Sequence, residues 1–82
     1  MSWYVYMLRC NDGTLYTGYT DDPERRTAVH NSGKGAKYTR SRLPVELVYR
    51  ECFEEKSEAL RREIAIKKLT KLQKETLIKE TP

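Results

Sequence analysis

The stretch Tyr4–Gly18, YVYMLRCNDGTLYTG, leaves this chain few folds to choose from. Tyr4, Tyr6 and Leu8 alternate with Val5 and Met7, the period of two that marks a half-buried strand. Asn11-Asp12-Gly13 follows, and these residues accept the left-handed conformations of a tight hairpin. Thr14 to Thr20 returns as a second strand rich in β-branched and aromatic side chains. A three-residue loop pairs Cys10 with Thr14, which sets Leu8 opposite Tyr16 and Tyr6 opposite Gly18. Two phenols then share a sheet face, with a slot beside Tyr6 where Gly18 carries no side chain.

Eighty-two residues predict one domain over 1–82, with a thin core. Charged residues make up 34% of the chain, and no run approaches the ~20 apolar residues of a membrane span, so no membrane partner is expected. Met-Ser-Trp-Tyr runs directly into a strand without a signal-peptide pattern, and the expected location is cytoplasmic. Cys10 and Cys52 are too few for a disulfide framework and lack the spacing of a zinc site; two half-buried thiols are expected. The net charge of +4 points weakly toward a polyanionic partner.

After the hairpin, an Asp before Pro23 and Glu24 in the first turn predict a helix to about His30, stopped by Asn31-Ser32-Gly33. Arg26 and His30, four apart, share one of its faces. The next segment, Lys34 to Arg42, holds Lys34, Lys37, Arg40, Arg42 and Tyr38 without an acid. It reads equally as a solvated loop or as a strip that neutralises phosphates, with Tyr38 free to stack on a base or pack below. Val45 to Phe53 is the third strand. Val45, Leu47, Tyr49 and Phe53 are assigned to one face and Val48 and Cys52 to the other, which favours a central position.

A helix from Ser57 to about Leu69 and a helical tail through Lys79 complete the chain. Ala59, Leu60, Ile64 and Ile66 define an apolar arc, with Glu63 near its centre and Lys67 beside it. A carboxylate on a core-facing stripe is costly unless it is paired, hydrogen-bonded or holding a metal. Leu69, Leu72, Leu77 and Ile78 continue a looser stripe that should return the tail to the domain.

The polar residues that stand out are Tyr6, Tyr16, Arg26, His30 and Glu63, with Gly18 as a steric gap. Phosphodiester hydrolysis needs such parts: a base or positioner for water, a cation for phosphate charge and a carboxylate for a metal. A satisfied polar network has the same composition. Tyr4-Val5-Tyr6, Tyr16-Thr17-Gly18, Arg26, His30, Ala59 and Glu63 resemble the GIY-YIG nuclease domain in order and spacing from Trp3 to Ile78. The longer pattern is similar to its stand-alone, single-domain bacterial branch (UPF0213-like).

The resemblance implies an α+β fold, a small three-stranded antiparallel sheet flanked by helices, with the active site on one sheet face. It implies that Tyr16 orients or deprotonates the water, that Tyr6 assists it, and that Arg26 stabilises the phosphate. Glu63 would bind one Mg²⁺ (or Mn²⁺), His30 would carry a proton or touch phosphate, and Gly18 would let the substrate approach. Three positions depart from the family's pattern. Tyr4 replaces the motif's first glycine, Tyr19 stands where some relatives carry Lys, and no Asn follows Glu63 near the C-terminus. The expected function is a Mg²⁺-dependent endonuclease acting on damaged, branched or single-stranded DNA. The alternatives are a non-catalytic nucleic-acid-binding module, and an adaptor that recruits a partner enzyme. Whether the chain works alone, as a homodimer or with a protein partner stays open.

Overall fold

Four consecutive buried residues, Val5 to Leu8, place β1 (Trp3–Arg9) at the middle of the sheet, since only a strand with neighbours and layers on both sides hides both faces. The computed structural model describes residues 1–80; the last two residues of the expected 1–82 unit lie outside the described residues. Its elements are β1, β2 (Leu15–Thr20), α1 (Pro23–Asn31), α2 (Lys37–Arg40), β3 (Glu46–Phe53), α3 (Lys56–Lys67) and α4 (Lys71–Glu80). The three strands form one antiparallel sheet in the order β2-β1-β3. The fold is α+β, three strands flanked by helices.

The hairpin has the register that its turn residues imply, with Leu8 opposite Tyr16 and Tyr6 opposite Gly18. The Cys10 amide donates to the Thr14 carbonyl (2.8 Å), and Gly13 takes the left-handed conformation (φ 83°) that closes the turn. Asp12 accepts from the Thr14 amide (3.1 Å) and hydroxyl (2.6 Å), a local bond that steadies the loop.

The third strand departs from expectation twice. It lies at an edge, and β1 is central. Its apolar residues also do not share one face. Tyr49 is opposite Met7 while Leu47 is opposite Leu8, so a bulge at Val48 absorbs one residue between them. That extra residue changes the strand's parity. Val45 and Leu47 join Tyr6, Leu8 and Cys10 on one side of the sheet, whereas Tyr49 and Phe53 join Val5 and Met7 on the other.

The side with Val5 and Met7 is covered by Ala59 and Ile66 of α3, with Leu69 and, from α4, Leu77 and Ile78 packed against it. Leu72 and Ile64, expected in these apolar stripes, are instead exposed. Helix α3 starts one residue earlier than expected, after Glu55, whose amide donates to Glu58 Oε1 (3.1 Å). Thr70 and Gln73 exchange amide-to-side-chain bonds (2.9 and 3.1 Å) that start α4. Arg9 on β1 grips Glu75 of α4 through two bonds of 2.7 Å, tying this helix to the sheet.

The side with Tyr6 and Leu8 is covered by α1 and the segment after it. Asp22 caps α1 by accepting from the Arg25 amide (3.1 Å), with Pro23 in the first turn. At its other end Asn31 accepts from the Val45 amide (2.7 Å) and donates to the Val45 carbonyl (3.0 Å), standing in for a strand partner. The basic segment is partly helical, as α2, and Leu43-Pro44 is cis. Both cysteines are free, Cys10 buried and Cys52 exposed rather than both half-buried. No helix among the described residues is long and apolar enough to cross a membrane.

Candidate active site at the edge of strand β2

Strand β2 has a partner on one side only, and a cavity of about 460 Å³ lies against it. Tyr6, Tyr16 and Gly18 line it from one face of the sheet, and Trp3 and Tyr19 from the other. Helix α1 contributes Arg25 and Arg26, and α3 contributes Lys56 and Glu63. The expectation of a site on one sheet face is therefore corrected. Glu63 reaches the cavity from the helix on the opposite face, which is open to it because β2 has no outer neighbour.

Gly18 makes room for Tyr6 rather than for a substrate. An added Cβ would stand 2.8 Å from Tyr6 Oη and 2.9 Å from Cζ, so the phenol ring already fills the slot. Tyr6 is 1% exposed, and its hydroxyl meets His30 Nε2 at 3.0 Å. The other ring nitrogen, Nδ1, is 2.8 Å from Thr39 Oγ1, which itself donates to the Ala36 carbonyl (2.9 Å). Thr39 has one proton, and the carbonyl takes it. Nδ1 must then carry the imidazole's hydrogen, and Nε2 accepts from the Tyr6 hydroxyl.

Protonation follows the same arrangement. Burial, with the nearby Arg26 charge adding to it, holds the His30 pKa below its ordinary value, so the ring is neutral. Burial, reinforced by Tyr16, pushes Tyr6 up to about 12, against the opposing pull of Arg26. Tyr6 is thus a phenol at neutral pH, with its proton anchored on His30. His30 is fully buried with both nitrogens engaged, so the expectation that it touches phosphate is corrected. It positions Tyr6 from behind. Proton transfer from Tyr6 to His30 would charge two buried groups at once, and both shifts oppose it.

Thr39 and Gly35 are parts of this arrangement that sequence reasoning missed. A Cβ on Gly35 would fall 2.3 Å from His30 Nδ1 and 2.8 Å from its Cα, so only glycine lets the segment close over the imidazole. Both residues lie in the stretch read for its charges.

The remaining polar residues divide into held and free. Glu63, with its side chain 12% exposed, meets Lys67 at 3.5 Å one helical turn on. Arg25 pairs loosely with Asp21 (3.9 Å), while Arg26 makes no ion pair among the described residues and lines the cavity with its guanidinium acting on the Tyr6 phenol. Lys56 lies over the rings of Trp3 and Tyr19, 5.2 and 5.8 Å from their centroids.

In the basic segment, Lys34, Lys37 and Arg40 are exposed. Arg42 is engaged within the protein: it donates to Asp12 Oδ2 (3.1 Å) and the Tyr38 carbonyl (2.8 Å), and its Cζ stands 3.9 Å from the Tyr38 ring centroid. Arg42, expected among the nucleic-acid-binding residues, is thus held by the protein's own groups while a third of its side chain stays exposed. Tyr38 stacks at 26° on Tyr16, with centroids 6.2 Å apart, which brings the segment to the rim of the cavity.

Comparison with known proteins agrees with this architecture. The model of the GIY-YIG catalytic domain matches residues 2–76. A UPF0213 protein of Streptococcus agalactiae is 58% identical over 77 residues, covering 94% of this chain and 88% of that protein. One from Halobacterium salinarum is 60% identical over 74 residues, covering 90% and 96%. The solution structure of a UPF0213 protein from Bacillus halodurans superimposes with a TM-score of 0.62 at 52% identity, over 96% of this chain and 84% of that one. A solution structure from E. faecalis gives 0.64 at 53% identity, with the same coverage. With the matching model spanning nearly its whole length, the chain belongs to the GIY-YIG family of nuclease domains.

Proposed function

We propose that this protein is a Mg²⁺-dependent endonuclease that hydrolyses phosphodiester bonds in DNA, residues 1–82 working as one unit in the cytoplasm. The observation that carries the reading is the meeting of Tyr6, Tyr16, Arg26 and Glu63 around one cavity in a chain of a nuclease family. Mg²⁺ is held through one or two carboxylates and keeps water and substrate phosphate as its other ligands. Glu63, with Asp21 also on the wall, offers that donor set, and no cluster of three His, Cys, Asp or Glu among the described residues offers a closed cage instead. The residues present fit the ion. Held by Glu63, it would supply Lewis-acid stabilisation of the charge that develops on the leaving oxygen.

The protein's own groups do the rest. Tyr6 keeps its proton in a hydrogen bond to His30, and its oxygen, shared with Arg26 at the cavity wall, serves as an acceptor that helps orient a water without becoming charged. Tyr16, half-buried between Tyr6 and Tyr38, accepts a hydrogen bond from the same water and aligns it on phosphorus, and the water's proton passes to bulk solvent as the bond forms. Arg26, unpaired with any described acid, offers planar donors to the phosphoryl oxygens as their charge grows.

The test is nicking of supercoiled plasmid and branched DNA. Nicking by the wild type in Mg²⁺, absent in EDTA and lost in Arg26→Ala, is expected. Equal nicking by wild type and Arg26→Ala would refute the reading, and salt-sensitive binding without cleavage would make the protein a nucleic-acid-binding module.

A further inference from the structure

A second hollow of about 270 Å³ adjoins the first, lined by Leu15, Tyr16, Thr17, Tyr38 and Lys67. The two share the Tyr16 ring. They are also linked by an ion pair, because Lys67 of the second meets Glu63 of the first at 3.5 Å. A group in this hollow is therefore an immediate neighbour of whatever occupies the candidate active site.

Its walls have a definite chemistry. Tyr38 is held before any ligand arrives, by Tyr16 on one part of its ring and by the Arg42 guanidinium on another. A preordered aromatic wall costs little entropy to use. Thr17 is 3% exposed, and its Oγ1 has no hydrogen-bond partner within the described protein. A buried hydroxyl left unpaired is destabilising, and it gains more than an exposed one from a ligand that satisfies it. Lys67 adds an ammonium, and the segment that carries Tyr38 also carries the exposed Lys34, Lys37 and Arg40. A flat, mostly apolar space with one unmet hydroxyl, rimmed by cations, is complementary to a heterocyclic base on a phosphate chain.

We propose that this hollow is a nucleobase subsite, which takes one unpaired base of single-stranded DNA next to the phosphate bound in the first cavity. The proposal rests on the nuclease reading above and narrows its substrate. A base inside a duplex is stacked on both faces and cannot enter, so the substrate is single-stranded or locally unpaired at that nucleotide. Tyr16 then has a double position, as a wall of the base subsite and as a group facing the reacting water.

The test uses fluorescent single-stranded DNA trimmed to the shortest length that binds, so that it has one register. An abasic site is placed at each position in turn, and binding to the full chain is followed by anisotropy in EDTA. One abasic position should weaken binding about tenfold. Thr17→Val, which keeps the side chain's shape, should weaken binding of the intact oligonucleotide several-fold, leave the abasic one unaffected, and preserve or raise the Tm. Binding that is indifferent to every abasic position, or unchanged in Thr17→Val, would overturn the proposal. Cleavage of the same oligonucleotides in Mg²⁺ separates it from the nuclease reading. Cleavage without a sensitive base position refutes the subsite alone, whereas a sensitive position without cleavage supports the subsite and refutes the hydrolase.

Discussion

Replacing Gly18 by alanine places a methyl group inside the Tyr6 ring. The new Cβ would lie 2.8 Å from Oη, 2.9 Å from Cζ and 3.0 Å from Cε1, too close for the ring to stay where it is. The ring has little room to yield, since it is 1% exposed and packs with Leu8, Cys10 and Val45. Overpacking of this kind costs about 1–3 kcal/mol. Displacing the hydroxyl also stretches its 3.0 Å bond to His30, whose loss is worth about 1 kcal/mol more. For a domain of this size the sum of about 2–4 kcal/mol lowers the Tm by about 10–20 °C. Thermal unfolding by circular dichroism measures it. A double-mutant cycle supplies the control: in a Tyr6→Leu background the ring is gone, and Gly18→Ala should cost about 1 kcal/mol or less. The same cost in both backgrounds, or an unchanged Tm in the single variant, would refute the account of Gly18 as the seat of Tyr6.

His30 makes stability depend on pH in a stated direction. Its folded pKa is depressed, so the unfolded chain binds the proton first as pH falls below about 6.5. Stability is full above that value and is lost as pH falls through the folded pKa. Between pH 7.5 and 5 the wild-type Tm should decline more steeply than that of His30→Gln; parallel slopes would show that the imidazole is not buried as described. Arg9→Ala removes the paired bonds to Glu75, but both side chains are about a third exposed, so solvent screening limits the loss to about 0.5–1 kcal/mol. Amide exchange should rise in α4 more than in the sheet, and a uniform rise would contradict a local docking role.

Much of the hairpin is legible without coordinates because its signals agree with one another. Asn11-Asp12-Gly13 specifies a loop length, the loop length specifies the register, and the register sets Tyr6 beside Gly18. What that neighbourhood means is not legible, since a gap beside a phenol reads the same whether a substrate or the phenol fills it. The third strand fails for a related reason. Its apolar residues occur at both parities, so the bulge at Val48 and the resulting exchange of faces leave no periodic trace. Central placement was visible in β1 itself, whose Val5 to Leu8 run is apolar on both faces. The residues behind the site were hidden differently. Thr39 reaches His30 across nine positions, and Gly35 packs on the same ring, yet neither alters a charge count or a hydrophobic stripe. Glu63 was findable because a carboxylate on a buried helix face is expensive; that it approaches around the free edge of β2 follows only from the order of the strands.

The central claim is that Glu63 makes the β2-edge cavity competent for metal-assisted hydrolysis. Single-turnover cleavage of one DNA substrate across a Mg²⁺ titration, with wild type and Glu63→Gln compared at equal folded fraction, tests it most directly. The substitution removes a charge and keeps the shape, so the Tm should change little. The rate should fall by about 100-fold or more, an amount in keeping with the loss of one preorganised electrostatic contribution to the transition state. A Glu63→Gln protein that cleaves as fast as the wild type, with the same Mg²⁺ dependence, would contradict the account.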